Sequence, residues 1–180
     1  MVTYLNLKGT TERVLGIDPG TANLAYCFFR PGKDGDLIVT GKIGTERPLP
    51  VGLKVEALIT QLAAYVEPWS PTLVVKEGPA YGMPMKAVEM GRIHQAIDRF
   101  AFERGIPLIE LSPQSIRSFI GSKSKSDTKL RLFQKYGVEF RSEDEADAYA
   151  TARAGIARWN GELKTAKEKA AEKRAARKAG

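Results

Sequence analysis

Cysteine and histidine are almost absent from this sequence, which contains one of each, Cys27 and His94. A single cysteine excludes an internal disulfide and a zinc cluster built on cysteines. A single histidine excludes catalytic triads and zinc sites that need several histidines. Any catalysis must therefore rest mainly on carboxylates, lysines or hydroxyl groups. His94 lies within a predicted helix, where we expect it to be a packed or interface residue and not a metal ligand.

Long apolar segments are also missing. The sequence has no run of about 18 consecutive apolar residues, which predicts that no helix spans a membrane and that no membrane is a partner. Residues 1–8 are too few and too polar for a secretory signal peptide. We therefore expect a cytoplasmic protein. The 180 residues are 43% hydrophobic, which is enough for one domain with a substantial core.

Positive charge exceeds negative charge. The formal net charge is +7 at pH 7 and the pI is near 9.5, which favours a polyanionic partner, most simply nucleic acid. The composition changes after Asn160, because residues 161–180 contain seven Lys or Arg and three Glu. That segment has almost no apolar face. We predict a basic tail, helical or disordered, at residues 161–180, after a folded domain at residues 1–160.

The order of apolar segments predicts an α/β fold. The predicted strands lie at about residues 13–18, 23–30, 36–43, 72–77 and 107–111. The predicted helices lie at about 53–67, 85–104 and 142–159, with two shorter helices on either side of a polar loop at 121–128. The pattern predicts a mixed sheet of five strands, flanked by helices on both faces. In the first two helices, the residues expected to face the core are Leu53, Ala57, Leu58, Leu62, Val66, Val88, Ile93, Ile97 and Phe100.

Two of the predicted strands end on a carboxylate. The first ends at Asp18, where Pro19 and Gly20 stop the strand, and the fourth ends at Glu77. Neighbouring parallel strands bring their carboxyl ends together, where sites in open α/β sheets usually form. Each acid also has a simpler interpretation, since Asp18 could belong to a tight turn and Glu77 could cap a strand end.

Asp144 and Asp147 lie three residues apart in the last predicted helix, so both fall on one face. If they meet Asp18 and Glu77, the four carboxylates repel one another in a low dielectric, and bound cations relieve that repulsion. Hard oxygen ligands favour Mg²⁺, with Mn²⁺ as the alternative. Two such ions about 3.5–4 Å apart can hydrolyse a phosphodiester. Asp144 alone could instead favour the helix dipole.

These motifs resemble the RuvC Holliday-junction resolvases. The resemblance spans about residues 13–158 and rests on Ile17-Asp18-Pro19-Gly20-Thr21, Val75-Lys76-Glu77 and Asp144-Glu145-Ala146-Asp147-Ala148. It implies an RNase H-like fold, a homodimer, and cleavage of four-way DNA junctions or other branched DNA by paired nicks. It also implies that Asp18, Glu77, Asp144 and Asp147 are catalytic and hold two metal ions in each active site. Lys76, residues 78–80 and the basic tail depart from the expected bacterial form and suggest a divergent, phage-encoded member.

Several basic and aromatic residues are candidates for contacts with DNA. In the resembling family a lysine from the region of residues 121–129 approaches the scissile phosphate, and Lys125 and Lys129 are the candidates for this catalytic role. Tyr81 and Met83 follow Glu77 and are predicted to stack or wedge against unpaired bases, although both could be core residues. The other residues predicted to bind phosphates are Arg47, Lys54, Lys86, Arg92 and Lys123.

Three other functions are compatible with the same patterns. The Asp18-Pro19-Gly20-Thr21 turn is shared with the ATP-binding actin and sugar-kinase group, but those proteins need two such domains, so we expect no nucleotide cofactor. An RNA-processing nuclease of the same fold would use similar acids on another substrate. A catalytically silent DNA-binding module would have the net positive charge but would not cleave nucleic acid. For the homodimer, the predicted interface is the helix at 85–104, through Met90, Ile93 and Ile97.

Overall fold

The computed structural model describes residues 12–32, 36–45, 48–79 and 87–164. The predicted tail beyond residue 164 lies outside them. None of the helices described is both long and apolar enough to span a membrane. Along the chain, the elements are β1 (Val14–Asp18), β2 (Asn23–Arg30), β3 (Leu37–Gly44), α1 (Val51–Val66), β4 (Leu73–Glu77), α2 (Ala87–Glu103), β5 (Leu108–Leu111), α3 (Pro113–Ile120), α4 (Lys125–Tyr136) and α5 (Glu143–Trp159).

The five strands form one mixed sheet in the order β3-β2-β1-β4-β5. β1 pairs antiparallel with β2, and β2 pairs antiparallel with β3. β4 is parallel to both of its neighbours, β1 and β5. The predicted mixed sheet is confirmed, and β1 lies at its centre. The carboxyl ends of β1 and β4 therefore meet at the same edge of the sheet.

Both faces of the sheet are covered by helices. Successive residues of a strand point to opposite faces, so Leu15 and Ile17 pack on one side and Val14 on the other. The first side is covered by α1 and α2, and the second by α3, α4 and α5. This alternation places Gly16 and Asp18 on the face that α5 covers.

Helix α5 lies unusually close to the sheet because glycine and alanine line the contact. A Cβ atom on Gly16 would be 2.3 Å from the backbone oxygen of Ala148 and 2.7 Å from the Ala152 Cβ atom. A Cβ atom on Gly155 would be 2.2 Å from a methyl carbon of Val75. No larger residue fits at either glycine without moving the helix. The close contact brings the first turns of α5 up to the ends of β1 and β4.

Lys76, which departs from the expected family form, points away from α5. Its side chain is 2% exposed, and its ammonium lies 2.5 Å from an Asp98 oxygen and 3.0 Å from a Glu110 oxygen. A buried lysine needs such partners to remain charged. Lys76 therefore joins β4 to α2 and β5 beneath the neighbouring Glu77. His94, also on α2, is buried as predicted.

Several predicted helix faces are wrong because the sequence does not determine how each helix is rotated. Leu53 is 56% exposed and Val88 is 71% exposed, although both were predicted to face the core. The predicted dimer contacts through Ile93 and Ile97 are also wrong, since both side chains are buried within the same chain. Any interface on α2 must instead use its outward-facing residues.

The predicted polar loop at 121–128 is shorter than expected, because α4 begins at Lys125. Ser124 caps this helix by accepting a hydrogen bond from the Asp127 N–H at 3.3 Å. The Asp127 carboxylate in turn accepts a hydrogen bond from the Lys123 N–H at 3.0 Å. The first bond satisfies an N–H group that a helix start leaves unpaired, and the second ties the residue before the cap to the first turn. Lys125 is consequently held on the first turn of a helix.

Candidate active site

Asp18 and Glu77 end neighbouring parallel strands. Ile17 is paired with Lys76, so Asp18 and Glu77 follow at the next position of the same register. Both lie on the face covered by α5, and the Asp18 side chain is 13% exposed. The structure therefore brings these two acids together, as the strand pattern predicted.

Asp144 and Asp147 come from the first turns of α5. Ser142 caps this helix and accepts a hydrogen bond from the Glu145 N–H at 3.2 Å. The Glu145 carboxylate does not complete the capping box. It accepts a hydrogen bond from the Thr40 hydroxyl of β3 at 3.3 Å. This contact ties the start of α5 to the sheet beside the two aspartates.

The Lys125 ammonium lies among three of the acids. Its Nζ atom is 3.1 Å from Asp147, 3.5 Å from Asp144 and 3.7 Å from Asp18, measured to the nearest carboxylate oxygen. Because these acids come from β1 and α5, the contacts place one cation at the junction of sheet and helix. Of the two candidate lysines, Lys125 is therefore the one among the acids. Within the described residues, no ion pair joins Lys129 to them.

Lys42 of β3 is a site residue that sequence reasoning missed. Its ammonium is 2.7 Å from a carboxylate oxygen of Asp144, closer than that of Lys125. Arg117 of α3 was missed as well, and its positive charge acts on Glu77. Neither residue belongs to a motif. The alternation of β3 is the signal that could have placed Lys42 on the face of the acids.

Burial and mutual repulsion perturb the acids. Burial, followed by the charges of Asp147 and Asp144, raises the pKa of Asp18 to about 6 even though Lys125 opposes the rise. Burial, with the charges of Asp18 and Asp147, raises the pKa of Glu77 to about 7. Burial also raises the pKa of Asp147. By contrast, the hydrogen bond from Lys42 lowers the pKa of Asp144. The folded protein thus disfavours the charged forms of Asp18, Glu77 and Asp147.

The donor set fits a hard divalent cation. Four carboxylates lie at the same end of the sheet, and carboxylate oxygen is the ligand that Mg²⁺ and Mn²⁺ prefer. As the side chains stand, no three His, Cys, Asp or Glu of the described residues lie close enough to surround a single ion. The position among Asp18, Asp144 and Asp147 is the one that Lys125 contacts. The carboxylates therefore already attract a positive group, which is the ammonium of Lys125.

The structure describes only some of the other residues that are predicted to bind DNA. Arg47, Tyr81, Met83 and Lys86 lie outside the described residues. Lys123 is exposed beside the cap of α4, and Arg92 is exposed on α2. Lys54 on α1 forms an ion pair with Glu89 on α2 at 3.0 Å. Each of the two helices follows a strand whose carboxyl end lies at the same end of the sheet as the acids. Their first turns therefore lie at that end as well.

The chain is similar to known proteins in both sequence and fold. No family model matches the chain. The RuvC crossover junction endodeoxyribonuclease of Thermomicrobium roseum is 29% identical over 146 residues, which cover 78% of this chain and 90% of that protein. The protein of the same name from a Synechococcus strain is 26% identical and covers 79% of this chain and 97% of its own length.

Solved structures show the same architecture. RuvC from Thermus thermophilus superposes with a TM-score of 0.71 at 22% identity, over 84% of this chain and 98% of that one. The same protein in complex with a Holliday junction substrate also gives a TM-score of 0.71. A yeast mitochondrial Holliday junction resolvase gives 0.62 at 24% identity, over 85% and 80% of the two chains. The chain is thus related to RuvC proteins in sequence and shares their RNase H-like fold, as predicted.

Proposed function

We propose that this RuvC-related chain is a metal-dependent endonuclease that resolves four-way DNA junctions by paired nicks. The observation that carries the proposal is the convergence of Asp18, Glu77, Asp144 and Asp147 at one end of the sheet, around Lys125. The names of the relatives and the junction bound to one protein of the same fold support this choice of substrate. The net charge of +7 suits a nucleic-acid partner.

The four acids are proposed to hold two divalent ions, Mg²⁺ or Mn²⁺. Such ions would activate a water molecule and stabilise the charge that develops on the phosphate. Asp18 and Glu77 are held by backbone pairing, and Asp144 and Asp147 by a capped helix, so regular secondary structure fixes the backbone at all four acids. A carboxylate must be ionised to bind a cation, so binding below about pH 7 has to release protons from Asp18 and Glu77.

Lys125 is proposed to act on the scissile phosphate. Its side chain is about half exposed, so the ammonium can turn from the acids towards solvent and substrate. Once cations neutralise the carboxylates, the attraction that holds Lys125 among them is lost. The lysine then provides a positive charge next to the position where negative charge develops on the phosphate. This role is assigned to Lys125 and not to Lys129, which lacks these contacts in the described part of the chain.

Paired nicks require two active sites related by a two-fold axis, so we propose that the chain works as a homodimer. The outward face of α2 supports this choice of interface, because Phe102 is 86% exposed and Val88 is 71% exposed. A cleft of about 750 Å³ runs beside it between α1 and α2, and Phe102, Ala96 and Val55 form part of its lining. Contact of these two side chains with a second copy of the chain would remove apolar surface from water.

The test is a nicking assay on three labelled substrates: a four-way junction, a flapped duplex and an RNA duplex, each with Mg²⁺, Mn²⁺ or EDTA. The proposal expects metal-dependent, symmetric nicks on the junction and loss of nicking in Asp147→Asn. Cleavage confined to RNA would favour the RNA-processing alternative. Tight junction binding with no cleavage under any metal would favour the silent DNA-binding module.

A further inference from the structure

Lys42 lies in one cross-strand row with the acids. Pairing across the sheet places Lys42 opposite Ala25, and Ala25 opposite Asp18. Directly paired residues of neighbouring strands point to the same face. Glu77 extends the row on β4. The row therefore holds one lysine and two acids at one end of the sheet. The small side chain of Ala25 separates the lysine from the acids.

The bond between Lys42 and Asp144 lies at the surface. The two side chains are 34% and 36% exposed, although their charged atoms are only 2.7 Å apart. Ion pairs at this degree of exposure contribute little to the stability of a protein. Exchange of Asp144 for another anion therefore costs the fold little. The lysine is long enough to make that exchange without movement of β3.

The charges at the site change sign when cations bind. Asp18, Glu77, Asp144 and Asp147 carry four negative charges when ionised, against the positive charges of Lys42 and Lys125 that contact the cluster. Two divalent cations would neutralise these four charges and leave the two positive charges of the lysines in excess. Both lysines would then lack anionic partners at the point where a DNA strand must enter, and backbone phosphates would provide them.

We propose that Lys42 is a DNA-binding residue of the active site, which exchanges Asp144 for a backbone phosphate of the cleaved strand when metal is bound. The proposal rests on the proposed function. It differs from a purely structural role, in which Lys42 only holds Asp144 in place. A structural role predicts an effect on the stability or metal affinity of the protein but none on the number of phosphates contacted.

The experiment measures affinity for a fluorescent four-way junction against KCl concentration, in Ca²⁺ as a non-cleaving ion and in EDTA. The proteins are wild type, Lys42→Met, Lys42→Gln as a second neutral variant, and Lys42→Arg. Lys135→Met is the matched control, because Lys135 lies on α4 and donates to the Phe119 backbone oxygen, away from the acids. Each lost phosphate contact lowers the log–log slope by about 0.9.

In Ca²⁺, both neutral variants should lose about 0.9 from the slope for each protomer that contacts the junction, while Lys42→Arg and Lys135→Met match wild type. In EDTA, where Lys42 remains paired with Asp144, all slopes should agree. Equal slopes for wild type and both neutral variants in Ca²⁺ would overturn the proposed role of Lys42 but not the proposed function. Failure of wild type to bind the junction at all would overturn the proposed function as well.

Discussion

Replacement of Asp18 by asparagine should stabilise the protein in the absence of metal while abolishing cleavage. The pKa of Asp18 is raised from an ordinary value of 3.8 to about 6, chiefly by burial. That rise corresponds to about 3 kcal/mol that favours the neutral side chain in the folded state. Asparagine has nearly the same shape and is always neutral. At pH 8 in EDTA, Asp18→Asn should therefore gain up to about 3 kcal/mol in the free energy of unfolding.

The sign of the pH dependence follows from proton uptake. Between the ordinary and the raised pKa, from about 4 to about 6, the folded protein binds more protons at Asp18 than the unfolded chain does. The contribution of Asp18 to stability therefore falls as pH rises through that window. The advantage of Asp18→Asn should be absent near pH 4 and complete above about pH 7. Urea unfolding at pH 4, 6 and 8 in EDTA measures it.

Glu103→Gln is the matched control, because Glu103 is exposed and pairs only loosely with Arg99 at 3.7 Å. It should show no comparable gain. The same Asp18→Asn protein should lose metal-dependent nicking by several orders of magnitude and still bind the junction. If Asp18→Asn is less stable than wild type at pH 8, Asp18 makes a structural hydrogen bond and its charge is not disfavoured in the folded state.

Three further predictions concern the packing of α5 on the sheet, the basic tail and the dimer. Gly16→Ala should destabilise the protein by about 1–3 kcal/mol and reduce nicking, because its methyl group would collide with the Ala148 backbone oxygen; thermal melting beside the nicking assay checks both. Truncation after residue 164, which keeps Leu163 packed on the core, should flatten the salt dependence of junction binding and leave nicking at saturating DNA intact; an unchanged slope would mean that the tail does not touch DNA. Phe102→Asp should convert the dimer to a monomer in light scattering at micromolar concentration, and a wild-type protein that is already monomeric there would refute the homodimer.

The two pairs of acids could be predicted because each depends on local sequence. Asp18 and Glu77 follow short apolar runs that end in turn-forming residues, and parallel pairing then brings strand ends together. Asp144 and Asp147 share a helix face through their spacing. The fold followed from the alternation of strands and helices. These features need no knowledge of how distant elements are oriented.

Other features depend on orientations that no local pattern specifies. The rotation of α1 and α2 decides that Leu53 and Val88 face solvent, and hydrophobicity alone predicted the reverse. Lys42 joins the site through the register of three strands, which a single sequence does not reveal. The choice of Lys125 over Lys129 depends on where α4 begins, and this is set by the Ser124 cap.

We propose that the acids at the end of the sheet make this chain a metal-dependent junction nuclease. It is tested most directly by product mapping on a four-way junction labelled on each strand, with wild type and Asp147→Asn, in Mg²⁺ and in EDTA. We expect symmetric nicks on two opposing strands when wild type is tested in Mg²⁺, and no nicks in the other three combinations of protein and condition. Nicking by Asp147→Asn at a rate near that of wild type, or nicking by wild type in EDTA, would contradict it.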